Sequence, residues 1–287
     1  MSLLSLLSWN MNQQASNWTT VLESDVDAAL VQEAKQPPPL LGAQMVVDDV
    51  GTWGASGQSW CAAVAGLSQR VQLIPIKTQP LGAGDPDALM VSRVGTIAAA
   101  KIRILDAGEE IIVVSLYATW GNPVKLGTKN PGWLYADASA HRLISDLSGL
   151  IRNQTEHKII AAGDLNILHG YGEGGSLYWK KRYDTVFDRM SALGLYLVGP
   201  QAPDGGKQAL PWPSELPEDS RNVPTFRTHK KKPETATRQL DFVFASESIA
   251  DRLHVRAANS IEEWGPSDHC RIFIDLDWQC TKKARME

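Results

Sequence analysis

The chain is built around short apolar runs rich in Val, Ile, Leu and Ala, and several of them stop abruptly at a polar residue. Leu3–Trp9 runs into Asn10, Ala28–Val31 into Gln32-Glu33, Ile111–Leu116 into Tyr117, and Lys158–Ala162 into Gly163-Asp164-Leu165-Asn166. In the other sense, Asp241 opens Phe242–Ala245, and Asp268-His269 stands just before Arg271–Leu276. Runs this short, with little polar alternation, suit strands covered on both faces. The pattern predicts strands at Leu3–Trp9, Ala28–Gln32, Trp60–Ala65, Val71–Ile76, Val94–Leu105, Ile111–Tyr117, Lys158–Ala162, Leu240–Ala245 and Arg271–Trp278. Helices are expected after Ser16, which can cap a short one. Others are expected over Tyr135–Ile151, where Leu143, Ile144, Leu147, Leu150 and Ile151 recur at helical spacing, and over Tyr183–Leu193, with Gly194 as its stop. The class is α/β or α+β with mixed sheets.

A chain of 287 residues can form one large domain or two ordinary ones. The long aperiodic stretch Gly199–Asn222, rich in Pro and Gly, is followed by too few strands for a second core. It therefore reads as a surface loop at about 199–222 within a single domain spanning 1–287. Cys61, Cys270 and Cys280 have no metal-type spacing, which fits a reducing compartment. Ser2–Trp9 lacks a basic flank and a cleavage site, and no stretch reaches the roughly 20 apolar residues of a membrane helix. The expected location is the cytoplasm, with no membrane contact.

Net charge is 28 − 32 = −4, against the broad basic bias of a protein that coats duplex DNA. Two local basic runs remain, Lys180-Lys181-Arg182 and Lys230-Lys231-Lys232, and such runs are commonly solvated surface.

The end of one strand and the start of an antiparallel neighbour share an edge of a sheet, so the polar strand ends can converge on one rim. That rim holds the carboxylates Glu33, Asp164, Asp241 and Asp268, hard oxygen donors suited to Mg²⁺ or Mn²⁺, with no Cys/His set for zinc. His269 has the side-chain pKa best placed for proton transfer near neutrality, and a carboxylate such as Asp241 can hold its ring. Asn10, Asn166 and Tyr117 can face phosphate oxygens without charge repulsion. Taken singly, each has a plainer reading: Gly-Asp-Leu-Asn as a turn, Ser267-Asp268-His269 as a loop, Tyr117 as a core tyrosine. In order, and each at a strand end, they match the needs of phosphodiester hydrolysis.

Trp9-Asn10, Gln32-Glu33, Gly163-Asp164-Leu165-Asn166, Leu240-Asp241-Phe242 and Ser267-Asp268-His269 resemble the successive motifs of the endonuclease/exonuclease/phosphatase superfamily, from Trp9 to about Leu276. The resemblance implies a four-layer α/β sandwich, two packed mixed sheets flanked by helices. It also implies Mg²⁺ or Mn²⁺ held chiefly by Glu33 with Asn10 and Asp268 nearby. Asp164 would orient or deprotonate the attacking water, Asn166 would bind the phosphate, and His269 supported by Asp241 would contact the scissile phosphate or act as acid/base. Tyr117 stands where relatives place a Tyr or His. Abasic endonucleases are similar to one another in carrying an aromatic residue where this chain has Arg238, and 5-phosphatases carry a Trp-Cys-Asp-Arg-like run there.

The first expectation is a metal-dependent nuclease, with Arg227, Lys230, Lys231, Lys232 and Arg238 as candidate substrate contacts and nucleic acid as partner. The second is a phosphatase or phosphodiesterase of a small molecule or lipid headgroup, and the third a catalytically inactive scaffold.

Overall fold

The computed structural model describes residues 3–39, 45–47, 61–105, 109–119, 136–151, 157–228 and 230–278. Trp60, Tyr135, His229 and Cys280 lie outside them.

Two six-stranded mixed sheets carry the fold. The first contains β1 (Leu3–Asn10), β2 (Ala28–Ala34), β3 (Met45–Val47), β4 (Cys61–Gly66), β13 (Leu253–Ala257) and β14 (Ile272–Asp277), in the order β13-β14-β1-β2-β4-β3. The second contains β5 (Val71–Ile76), β8 (Ile97–Ile104), β9 (Glu110–Tyr117), β10 (Ile159–Asp164), β11 (Leu195–Gly199) and β12 (Asp241–Ser246), in the order β11-β12-β10-β9-β8-β5. A small parallel pair, β6 (Thr78–Pro80) with β7 (Leu89–Val91), stands apart.

Alternation along the strands sorts side chains between two cores. Ile160 and Ala162 of β10 face Leu4, Leu6, Leu30, Val64 and Val243 between the sheets. Ile159 and Ala161 face the opposite way, toward α2 (Ala136–Leu147) and α3 (Leu177–Ala192). Alanines recur on the inner face, at Ala28, Ala62, Ala98, Ala100 and Ala245, and their small volume lets the sheets approach closely. On the outer face of the first sheet, Trp9, Ala29, Val31 and Ala63 pack against Trp18 and Val21 of α1 (Asn17–Leu22). Helix, sheet, sheet and helices make four layers, the expected sandwich.

The interior is tight enough that truncating one of its large side chains, such as fully buried Leu6, should cost about 2–5 kcal/mol.

Several local expectations need correction. The helix expected from Tyr183 begins at Leu177, because the Ser176 hydroxyl accepts from the Trp179 amide and caps an earlier first turn. Gly194, at φ 74°, does end it. Ser16 makes no side-chain cap. The helix expected through Ile151 is α-helical only to Leu147 and continues as a 3₁₀ turn over Ser148–Leu150. The strand expected from Val94 starts at Ile97. Strands β3, β6, β7, β11 and β13 escaped the apolar-run criterion, being of three or five residues or, in β13 (LHVRA), interrupted by His and Arg. Cys61 and Cys270 are both buried. Among the described residues no helix is long and apolar enough to cross a membrane.

Candidate active site

Strand register brings the polar strand ends to one edge. In β10, Asp164 lies directly opposite Tyr117 of parallel β9 and Asp241 of antiparallel β12. In the facing sheet, Asn10 pairs with Gln32, one residue before Glu33. The predicted rim therefore exists, and the two halves of the site come from the two sheets.

Local backbone geometry aims the side chains. The ladder between β2 and β4 slips between Val31 and Ala34, and Glu33 takes φ 46°, so a bulge turns its carboxylate out of the sheet toward the rim. Asn166 sits at φ 51°, held by its amide donating to Asp164 Oδ1 at 2.8 Å. Left-handed backbone at non-glycine residues is strained and collects at functional sites. Between them, Gly163 (φ 152°) passes so close to β9 that an added Cβ would collide with the Leu116 carbonyl oxygen.

The hydrogen bonds link the expected residues into one network. Asn10 Nδ2 donates to Asp164 Oδ2 at 2.9 Å and to Glu33 Oε1 at 3.3 Å. Tyr117 Oη donates to Glu33 Oε1 at 2.6 Å. Asn166 Nδ2 donates to Asp164 Oδ2 at 2.9 Å and to the Ala118 carbonyl at 3.0 Å. His269 Nδ1 lies 2.8 Å from Asp241 Oδ2, and its Nε2 lies 3.8 Å from Asp164 Oδ2. Asp268 is half-buried beside them; Ser267 Oγ donates to the Asn10 carbonyl at 2.7 Å, and Trp9 Nε1 donates to the His269 carbonyl at 2.9 Å. The Asp268-His269 segment is thus tied to the end of β1.

Electrostatics follow from burial. Burial pushes the Asp164 carboxyl up to about 8, with His269 opposing the rise and Asp241 adding to it. Burial alone would lower His269, but the carboxylates of Asp241 and Asp164 outweigh it and lift the imidazole to about 10. Burial, together with the charges of Glu33 and Asp164, raises the Tyr117 phenol far above its ordinary range, so it stays a hydrogen-bond donor.

The set of donors fits a hard divalent cation. Four carboxylates crowd one edge, and burial disfavours their charges unless positive charge is supplied. Asp164, Asp241 and His269 form a fully buried group whose ligand atoms lie within 4.8 Å of one another. Asp241 and His269 are already committed to each other, whereas Glu33 and Asp268 are half-buried and open toward solvent.

The candidate substrate contacts divide. Arg227 lies against the site: its amide donates to the Asp268 carbonyl at 2.9 Å and its guanidinium to the Ser267 carbonyl at 3.1 Å. Lys230, Lys231 and Lys232 are exposed, and the Lys231 carbonyl accepts from Arg227. Arg238 forms a two-pronged ion pair with Glu173 at 2.8 and 3.3 Å. Some participants gave no sequence signal. Thr225 Oγ1, fully buried, accepts from the Leu240 and Asp241 amides and fixes the start of β12. Arg93 donates to Thr119 Oγ1 at 2.6 Å, with its charge close enough to act on the Tyr117 phenol. Gln13 Nε2 donates to Glu33 Oε2 at 2.9 Å; the polar run Asn10–Gln13 after β1 was the available hint.

No family model matches the chain, and no curated protein sequence matches it. Solved structures do. The catalytic domain of APE2 from Xenopus laevis superposes with a TM-score of 0.60 at 14% identity, covering 94% of this chain and 91% of that one. The endonuclease domain of TRAS1, a telomere-specific non-LTR retrotransposon, gives 0.59 at 17%, covering 96% and 99%. The 3'-5' exonuclease NExo from Neisseria meningitidis gives 0.55 at 16%, covering 96% and 100%. These structures belong to the endonuclease/exonuclease/phosphatase superfamily, and this chain shares their deoxyribonuclease I-like fold.

Proposed function

We propose that the chain is a metal-dependent phosphoesterase, and specifically a nuclease. The observation that carries this reading is the convergence of the buried Asp241–His269 pair, Asp164 and the Glu33–Asn10–Tyr117 group on one edge. The names of the superposed structures, an endonuclease domain and a 3'-5' exonuclease among them, support it.

Glu33, Asn10 and Asp268 are the residues that would hold Mg²⁺ or Mn²⁺. A bound ion there would neutralise phosphate charge and act as a Lewis acid. Tyr117 and Gln13 orient the Glu33 carboxylate by donating to its two oxygens. Asp164, held by Asn10 and Asn166, positions the attacking water and accepts its proton. Asp241 fixes the ring of His269 through Nδ1, leaving Nε2–H to donate to a phosphoryl or leaving-group oxygen. Asn166 would meet the phosphate beside them by turning to it one of the side-chain N–H groups now given to Asp164 and the Ala118 carbonyl. Arg227 and the lysines Lys230–Lys232 then meet neighbouring phosphates, with Arg238 at the flank.

The deciding experiment is a panel of single- and double-stranded DNA and RNA, small phosphodiesters and phosphomonoesters, incubated with the protein and with Asp164→Asn, with Mg²⁺, Mn²⁺ or chelator. Cleavage of nucleic acid that needs the ion and Asp164 is expected. Turnover of small esters alone would replace the nuclease reading by a small-molecule phosphoesterase, and no turnover at all would leave a binding scaffold.

A further inference from the structure

Both outer helices begin at the catalytic edge. The chain leaves Asp164 at the end of β10 and enters α3 at Leu177, and α2 opens beside it, where Arg182 Nε donates to Asp137 Oδ2 at 2.7 Å. From His269 a line of neighbouring groups leads to this place. The Phe226 ring lies 5.0 Å from the His269 ring, and Phe226 bridges both His269 and Arg238 along the backbone. Arg238 grips Glu173, and the Tyr183 hydroxyl beyond them lies within reach of the charges of Glu173, Asp137, Arg238 and Arg182. Trp179 stacks on Tyr183 at 6.1 Å, and the Arg182 guanidinium lies 5.0 Å over Trp179 and 5.7 Å over Tyr178.

At the outward end of this line the Tyr178 ring meets Trp179 edge-on at 5.0 Å and its hydroxyl accepts from Arg182 at 3.1 Å, yet much of the ring is left to solvent. Leu177 is 71% exposed and Tyr178 62% exposed, in the first turn of a helix whose buried side faces the sheet. Lys181 is exposed on the next turn. Single exposed apolar residues are ordinary. Two adjacent ones, flanked by a lysine and by an arginine already immobilised on Asp137, form a fixed surface of rings and cations. Asp137, Tyr178, Lys181 and Arg182 also line a small cleft between the helices, where the buried Asp137 carboxylate holds the Arg182 guanidinium in place.

We propose that the first turns of α3 are a stacking surface for an unpaired nucleic acid strand running from the catalytic edge, with Tyr178 against a base and Lys181 and Arg182 beside the adjoining phosphates. Rings alternating with cations are the means by which single strands are held without sequence preference, since every base offers a π-face. In a duplex the base faces are already stacked, so this surface selects the single strand. The inference rests on the nuclease reading of the catalytic edge.

Binding is measured by fluorescence anisotropy in the Asp164→Asn protein, which holds the strand without cutting it. Labelled single strands of about 4 and about 12 nucleotides and a duplex of about 12 base pairs serve as probes. Tyr178→Ala is expected to weaken the longer strand about tenfold or more, within the range for loss of one stacked base. Tyr178→Trp should restore binding, and the short strand and the duplex should change little. Lys181→Ala should reduce the slope of log K against log salt by about 0.7, one phosphate's share on a single strand. Equal binding of the longer strand by Tyr178→Ala and the Asp164→Asn parent, with circular dichroism unchanged, would overturn the proposal. So would equal weakening of strand and duplex. Failure of the parent to bind any nucleic acid would remove the nuclease reading itself, a distinct outcome.

Discussion

Asp164 Oδ2 and His269 Nε2 face each other across 3.8 Å, too far for a direct hydrogen bond and close enough to address the same small molecule between them. Asp164 is supplied by β10 and His269 by the segment before β14, so the two sheets meet chemically at this pair. Asp164→Asn keeps the shape, retains through its one oxygen only part of the bonds from Asn10 and Asn166, and removes the base. Turnover should fall by about 10²–10⁴, the range of a positioned proton acceptor, while the fold persists. Near-normal turnover in steady-state assays would remove Asp164 from that role.

His269→Ala and Asp241→Asn should each lower turnover by a comparable factor, roughly 10²–10⁴. The double variant should lose little more than either single one, because Asp241 acts through the ring it holds at 2.8 Å. Fully multiplicative losses would show that the two act separately.

Glu33→Gln should abolish most Mn²⁺ binding in calorimetric titration while the protein stays folded. Its carboxylate is half-buried at the rim, and an amide still accepts from Tyr117. Unchanged titration curves would move the ion to another set of residues, of which the buried Asp164, Asp241 and His269 are the first candidates.

The metal-free protein should lose stability as the solution becomes alkaline. Asp164 is raised from 3.8 to about 8 and His269 from 6.5 to about 10. In both cases the folded chain keeps a proton that the unfolded chain has released, so stability is full below the unfolded value and is lost as pH rises through the folded one. The two windows overlap between 6.5 and about 8, where the melting temperature should fall most steeply. Asp164→Asn should flatten the fall. A melting temperature that rises across this window contradicts the assigned directions.

Thr225→Val should destabilise the chain by about 1–3 kcal/mol in denaturant titration, since the Leu240 and Asp241 amides lose their buried acceptor. Thr225→Ser should restore most of it.

The candidate site was legible in the sequence because most of its residues end or begin an apolar run. Strand polarity and the demand that both faces be covered then leave one rim for them. Asn10, Glu33, Tyr117, Asp164, Asn166, Asp241 and His269 all came together there. Thr225 left no such trace, because its job is to satisfy two backbone amides brought to it only by the tertiary fold. Arg238 could be placed near the rim, but its engagement with Glu173 depends on the course of the loop after β10, which no periodicity encodes. The early start of α3 was hidden for a local reason: Ser176 as cap is visible only once the preceding Gly174-Gly175 turn is known.

The ties from Ser267 and His269 to Asn10 and Trp9 span 257 and 260 positions of sequence. During synthesis, then, the residues from Trp9 to His269 must all emerge before these ties can form. A nascent chain that stops short of Ser267 carries Glu33 and Asp164 but neither the His269 imidazole nor the bonds that tie it to the end of β1. On the proposed function, a chain arrested ahead of Ser267 would lack His269 and, with it, the acid that the reaction needs.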